Sequence, residues 1–116
     1  MAGENARKVQ TGTSIDYTPG SAVASGDVVV LTDTVGVALT PIAANELGSL
    51  EIDGVFEVPK DSATVFTQGD TAHWDPDAST TGEAVTASAT GTTLMGRVVK
   101  AAGSGDTTVW IKINDV

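Results

Sequence analysis

The sequence predicts a small single-domain all-β protein, a β-barrel or a β-sandwich, and three observations carry that prediction. Gly and Pro recur roughly every eight to twelve residues, the spacing at which short strands alternate with turns. The runs between them are β-branched or alternate apolar with polar side chains. No segment has the length and 3.6-residue periodicity of a helix that could organise a fold, although the 116 residues are enough for one core.

The elements follow in chain order. "MAGENARKVQTG" (1–12) is polar and holds two of the six basic residues. It reads as an extended, flexible N-terminal arm ahead of a domain over 13–116, or as a frayed terminus without a role. "DVVVLT" (27–32) is a continuous β-branched run, as expected of a strand covered on both faces. "VGVALT" (35–40) sets Val35, Val37 and Leu39 on one face and Gly36 and Ala38 on the other. "PIAANELG" (41–48) has a proline start and a glycine stop for one helical turn. "SLEIDG" (49–54) turns Leu50 and Ile52 inward and Glu51 and Asp53 outward, and "VFEVP" (55–59) ends on a proline that belongs at a sheet edge. "KDSATVF" (60–66) is the second short helical candidate, with Asp61 or Ser62 as N-cap.

"TAHWD" (71–75) alternates so that Trp74 enters the core and His73 faces out, and "EAVTA" (83–87) is the next strand. "TLMGRVVK" (93–100) and "TTVWIKI" (107–113) close the domain. In the latter Val109, Ile111 and Ile113 share one face and Trp110 and Lys112 the other, which leaves one large aromatic half covered. "SGD" at 25–27, "QGD" at 68–70 and "SGD" at 104–106 each precede a strand-like run. Glycine supplies a positive φ and aspartate bonds nearby amides, so the repeat predicts one turn geometry used three times.

Composition narrows the function classes. Fifteen acidic residues against six basic ones give a net charge of −9, a field that repels phosphate backbones and argues against nucleic acid as a partner. No apolar run approaches the ~20 residues that span a bilayer, so no membrane partner is expected. The first ten residues lack the hydrophobic stretch of a signal peptide. The absence of cysteine removes disulfides, thiolate metal sites and cysteine nucleophiles. Only Tyr17, Phe56, Phe66, Trp74 and Trp110 are aromatic, so the core must be mostly aliphatic, and self-association could bury what one subunit leaves exposed.

"HWDPD" (73–77) holds the sole histidine and is the one cluster that resembles a site. His73 and Asp75 would share a strand face, but a first-row metal needs three or four ligands and the chain has no second His and no Cys. Calcium could use Asp75 and Asp77, yet the EF-hand loop pattern is missing. There is no nucleophile elbow for His73 to serve. Asp53 with Glu57 could form a glycosidase pair, but such pairs arise by default on the solvated face of an acidic β-protein. Neither "GTSIDYTPG" (12–20) nor "SATGTTLMG" (88–96) has a Walker lysine. The expectation is therefore no enzyme, no cofactor and no metal; "HWDPD" reads as the end of a strand and the start of a proline turn whose amides the two aspartates cap.

Four segments occur together in one order: "ASGDVVVLTDTVGVALTPIA", "LEIDGVFEVPK", "QGDTAHWDPD" and "TTLMGRVVKAAGSGDTTVWIKI". Over about Val9 to Ile113 the chain resembles the small capsid decoration, or cement, proteins of tailed bacteriophages. That group was long catalogued as a domain of unknown function and is sometimes mislabelled as recombinase, a label that finds no Walker motif or basic surface here. His73 departs from the resemblance, which has an aromatic or aliphatic residue at that position. The resemblance implies a structural virion protein on the outer capsid surface, made in the host cytoplasm. Its implied partner is the major capsid protein, and its implied form a homotrimer at three-fold positions, where it bridges neighbouring capsomers and stabilises the shell. The arm residues Arg7, Lys8, Val9 and Gln10 are the candidates for capsid contact, by adding a strand to an exposed capsid edge. Phe66 and Trp110 are the candidates for the subunit interface, with ordinary core packing as the other reading. The rival function is a β-sandwich module recognising glycans or a host surface, with Trp74 or Trp110 as a stacking platform.

Overall fold

A computed structural model describes residues 6–115 of the chain. Among these residues nine strands form two antiparallel sheets, divided along the sequence. The first contains β1 (Ser14–Tyr17), β2 (Val28–Val30), β3 (Val35–Val37) and β4 (Gly48–Glu51) in the order β1-β4-β3-β2. The second contains β5 (Val55–Pro59), β6 (Thr71–Asp75), β7 (Glu83–Val85), β8 (Thr93–Lys100) and β9 (Thr108–Ile113) in the order β5-β9-β8-β6-β7.

Packing follows the alternation of side chains. On β9, Val109, Ile111 and Ile113 are all buried, as their spacing predicts, and they meet Val58, Met95, Val98 and Trp74 in the main core. Each such side chain contributes about 1.5–3 kcal/mol by leaving water. Val35 and Val37 of the first sheet join this core, so the two sheets pack face to face. A second, smaller cluster covers the other face of the first sheet: Leu50, Ala38 and Ile42, with Ile15, Tyr17 and Val29 against them. Ile42 is held there by reciprocal amide–carbonyl bonds with Val23 of 2.8 and 2.9 Å.

The larger sheet curls almost into a barrel. β8 carries one extra residue against β6, at Met95, and another against β9, at Val99. Bulges bend and twist a strand, and two on one strand turn the sheet sharply. Its outer strands consequently meet where Lys60, just past β5, bridges Ala84 of β7 in parallel. Lys60 is buried there, and its Nζ donates to the carbonyls of Asp61 (2.9 Å) and Thr64 (2.5 Å). Gly96 beside the first bulge is fixed by close approach: a Cβ would lie 2.1 Å from the Lys112 carbonyl oxygen.

The three predicted turns share one geometry. Asp27, Asp70 and Asp106 each donate their amide to the carbonyl three residues back, at 3.1, 3.0 and 3.1 Å. Their carboxylates accept from that same residue's amide at 2.9, 2.7 and 2.9 Å. The glycine before each aspartate has φ of 89°, 93° and 94°, the third position of a type II turn. A fourth turn, Ala89–Thr92, repeats the pattern with the Thr92 hydroxyl in place of the carboxylate.

Several local expectations are corrected. Neither short helical candidate forms: 43–46 is a turn with Asn45 at φ 63°, and 61–64 is a turn in which the Asp61 carboxylate accepts from the Ala63 amide. A single turn of helix gains too little to offset its nucleation. "DVVVLT" does have partly covered faces, Val28 toward the main core and Val29 toward the smaller one, but β2 is an edge strand and Val30 is exposed. Leu39 does not continue the buried face of β3; that strand ends at Val37 and Leu39 is exposed.

Candidate interaction surface

"HWDPD" is a bend. Trp74 is 2% exposed in the core, and the Asp75 carboxylate accepts from the Asp77 amide at 3.0 Å across Pro76. Asp75 alone makes such a cap; no bond from the Asp77 carboxylate accompanies it among the described residues. His73 alternates with buried Ala72 and Trp74 and so takes the other face of β6, as expected, but it is half-buried there, and its Nδ1 is buried without a hydrogen-bond partner among the described residues. Among the described residues no three His, Asp or Glu side chains converge as metal ligands would.

The features that remain belong to surfaces. Residues 6–12 are exposed, with Val9 at 85%. Arg7, Lys8, Val9 and Gln10 therefore all face solvent, and Gln10 Nε2 donates to the Ser14 carbonyl at 3.0 Å, just where β1 begins. Residues 1–5 of the predicted arm lie outside the described residues.

β5 has an open side. Gly54 accepts from the Ile113 amide, and the Lys60 amide donates to Thr107, so the backbone groups of both residues turn toward β9. Alternation then points those of Val55, Glu57 and Pro59 away from it. Pro59 lacks an N–H and loses nothing at such a position, which agrees with the edge placement read from the sequence. Beneath this edge, between the two sheets, runs an apolar groove of about 180 Å³ lined by Val28, Val37, Leu39, Phe56 and Val58. Asp27 and Glu57 stand along its continuation.

The outer face of β5 and β9 carries the exposed tryptophan. Trp110 is 43% exposed and lies opposite Glu57, whose Oε2 accepts from Trp110 Nε1 (3.2 Å) and from the Thr108 hydroxyl (3.0 Å). Lys100 Nζ lies 4.7 Å from the ring centroid, within cation–π range. Next along the face, Lys112 Nζ pairs with Asp53 at 3.1 Å. That hydrogen bond, the lysine's charge and the Gly54 amide hold the Asp53 carboxyl below its ordinary value of 3.8. Phe66, by contrast, is 1% exposed in the main core, so core packing accounts for it and it offers no side-chain surface to a second subunit.

Charge divides unevenly between arm and body. Beyond residue 12 the chain has fourteen carboxylates and four cations. Of these four, Lys60 is buried, Lys112 is paired, Lys100 covers Trp110 and Arg97 donates to the Gly69 carbonyl at 3.3 Å. The described part of the arm has Arg7 and Lys8 and no acid.

Among the described residues, then, no chemical cluster converges, and the distinctive features are a sheet edge, an exposed tryptophan and a cationic arm segment. No curated protein and no solved structure matches this chain. One family model does: that of the phage cement proteins, over residues 9–113, which span both sheets and the end of the arm. The chain belongs to the phage cement protein family.

Proposed function

We propose that this protein binds the outer surface of the assembled phage capsid, bridges neighbouring capsomers as a trimer at three-fold sites, and opposes their separation. The cement family is structural and associates with the capsid; what favours bridging in particular is the pairing of an exposed cationic arm with a body that has an open strand edge. A shell pressurised by packed DNA fails where capsomers part. A trimer engages three contacts at once, and linked contacts strengthen one another through effective concentration. Arg7, Lys8, Val9 and Gln10 are the proposed shell contacts, since all four are exposed and can add a strand to a capsid edge. Trp110 is the proposed aromatic anchor between subunits.

Co-sedimentation with expanded capsids lacking the protein, against compact procapsids, tests the proposal. Saturable binding to the expanded shells, with copy number matching three-fold positions, is expected; no binding to either shell by the folded protein refutes it. The glycan-binding alternative gains little from the geometry. Trp74 is buried, and Lys100 lies over the ring of Trp110 where a sugar would stack.

A further inference from the structure

We infer that the open edge of β5, with the groove beneath it, is the seat of residues 6–11 from a second copy of this chain. The inference rests on the self-association proposed above and gives that association a seam in the free protein, from which the arm must be released before it can pair with a shell edge.

The edge is poorly guarded. Soluble proteins usually protect a free strand with charge, a bulge or a cover. Here Val55 and Leu39 are both more than half exposed beside it, and only Glu57 and Pro59 resist pairing. The amides and carbonyls of Val55 and Glu57 turn outward, a short ladder that an extended segment can complete, while Pro59 lies beside the Lys60–Ala84 bridge that brings β7 against that end of the edge. The free stretch is Val55–Val58, about 13 Å, which Arg7–Gln10 of the arm span when extended.

The arm's side chains fit the seat by alternation. With Val9 on the inner side, flush with Phe56 and Val58, its apolar surface enters the groove. Arg7 then shares that side and approaches Asp27, while Lys8 and Gln10 lie on the outer side beside Glu57. The charges of this arm segment are both positive, and the two that border the groove are both negative.

Exchange between copies follows from the topology. The arm leads into β1, at the edge of the first sheet opposite β2, and β2 borders the groove. Three strand spacings, about 14 Å, separate those edges. In the described chain the arm is solvent-exposed rather than folded across them. An arm given by each copy to the next is a head-to-tail contact, which closes into a ring when three copies complete the rotation.

The test needs no capsid. Molar mass by light scattering is measured across protein concentrations for the full chain, a variant lacking residues 1–11, Val9→Asp, Lys8→Glu, Glu57→Lys and the Lys8→Glu/Glu57→Lys double variant. The full chain is expected to form a trimer and the deletion a folded monomer. Val9→Asp, which lies outside the core and leaves folding intact, should raise the dissociation constant at least about tenfold. Each single charge reversal should raise it about two- to fivefold, and the double variant should recover most of that loss. A trimer unchanged by the deletion or by Val9→Asp, a monomeric full chain, or a double variant no better than the worse single one would overturn the inference. A deletion variant that stays trimeric but loses shell binding gives the arm to the capsid, so this inference falls while the proposed function stands.

Discussion

Replacing Asp27, Asp70 and Asp106 by alanine, singly and together, tests whether the recurrent turn is a unit of stability. Each substitution removes one bond, from the amide three residues back to the carboxylate, at 2.9, 2.7 and 2.9 Å, and leaves the backbone bond of the turn in place. Bonds to charged acceptors contribute about 1.5–3 kcal/mol, but these amides can turn to water once the carboxylate is gone, so about 1 kcal/mol each is expected. Asparagine keeps an acceptor oxygen and loses only the charge, so it should cost about half as much. Asp27 belongs to the first sheet and should add to either of the others. The turns of Asp70 and Asp106 flank the Phe66–Ala102 bridge, with bonds of 2.9 and 3.0 Å, so loosening both should cost less or more than the sum. Urea unfolding followed by the fluorescence of buried Trp74 and half-exposed Trp110 measures this. An alanine variant within about 0.3 kcal/mol of the parent, or asparagine as costly as alanine, would refute the reasoning.

Three further outcomes are expected. Gly96→Ala should destabilise by about 3–5 kcal/mol, because its Cβ would overlap backbone atoms of Lys112 and Ile113, whereas Gly103→Ala meets nothing within 4 Å and should leave the melting temperature unchanged; calorimetry of the pair separates close approach from a general glycine effect. The Asp53 carboxyl, held below 3.8 by Lys112, contributes stability that is present above its unfolded value and lost as pH falls through its folded one, so Asp53→Asn should flatten the melting temperature against pH below about 4. Phe66→Ala should cost about 3–5 kcal/mol in folding, while Trp110→Ala should cost about 1 kcal/mol and instead weaken the proposed trimer, as urea titration and light scattering would show.

How far the fold could be read in advance depended on how local its causes are. β8 and β9 were legible nearly to the residue, because eight- and six-residue runs with Val109, Ile111 and Ile113 in phase leave little ambiguity. β1 was not identified, although Ile15 and Tyr17 alternate with Ser14 and Asp16; four residues beside a polar arm carry too few turns of the pattern to stand out. The bulges at Met95 and Val99 have no sequence mark, since register is settled between strands and not within one. Barrel and sandwich stayed open for the same reason, and the answer combines them: two packed sheets, the larger nearly closed through Lys60. For the candidate surface, the period of β9 gave the half-exposure of Trp110, and Pro59 marked the β5 edge. Nothing in the sequence alone told Phe66 from Trp110; the bridge from Phe66 to Ala102, which draws that ring into the core, is a contact across thirty-six positions.

Asn114 fastens the two sheets after everything else. With φ of 60°, it donates Nδ2 to the carbonyls of Val35 (3.0 Å) and Ile52 (2.7 Å), accepts from the Thr34 hydroxyl (2.5 Å), and donates its amide to Met95 (2.6 Å). The first sheet needs no residue beyond Glu51 for its own pairing, yet the side it shows to the main core, Val28, Val35 and Val37, is covered by strands that leave the ribosome later. During synthesis the amino-terminal half is thus a sheet with one wet apolar face, and its last tie arrives with residue 114. A nascent chain that stops before β8 keeps that face open to proteases and to other unfinished chains. Cover for the first sheet's inner face thus depends on β8, β9 and Asn114, all drawn from the second half of the chain.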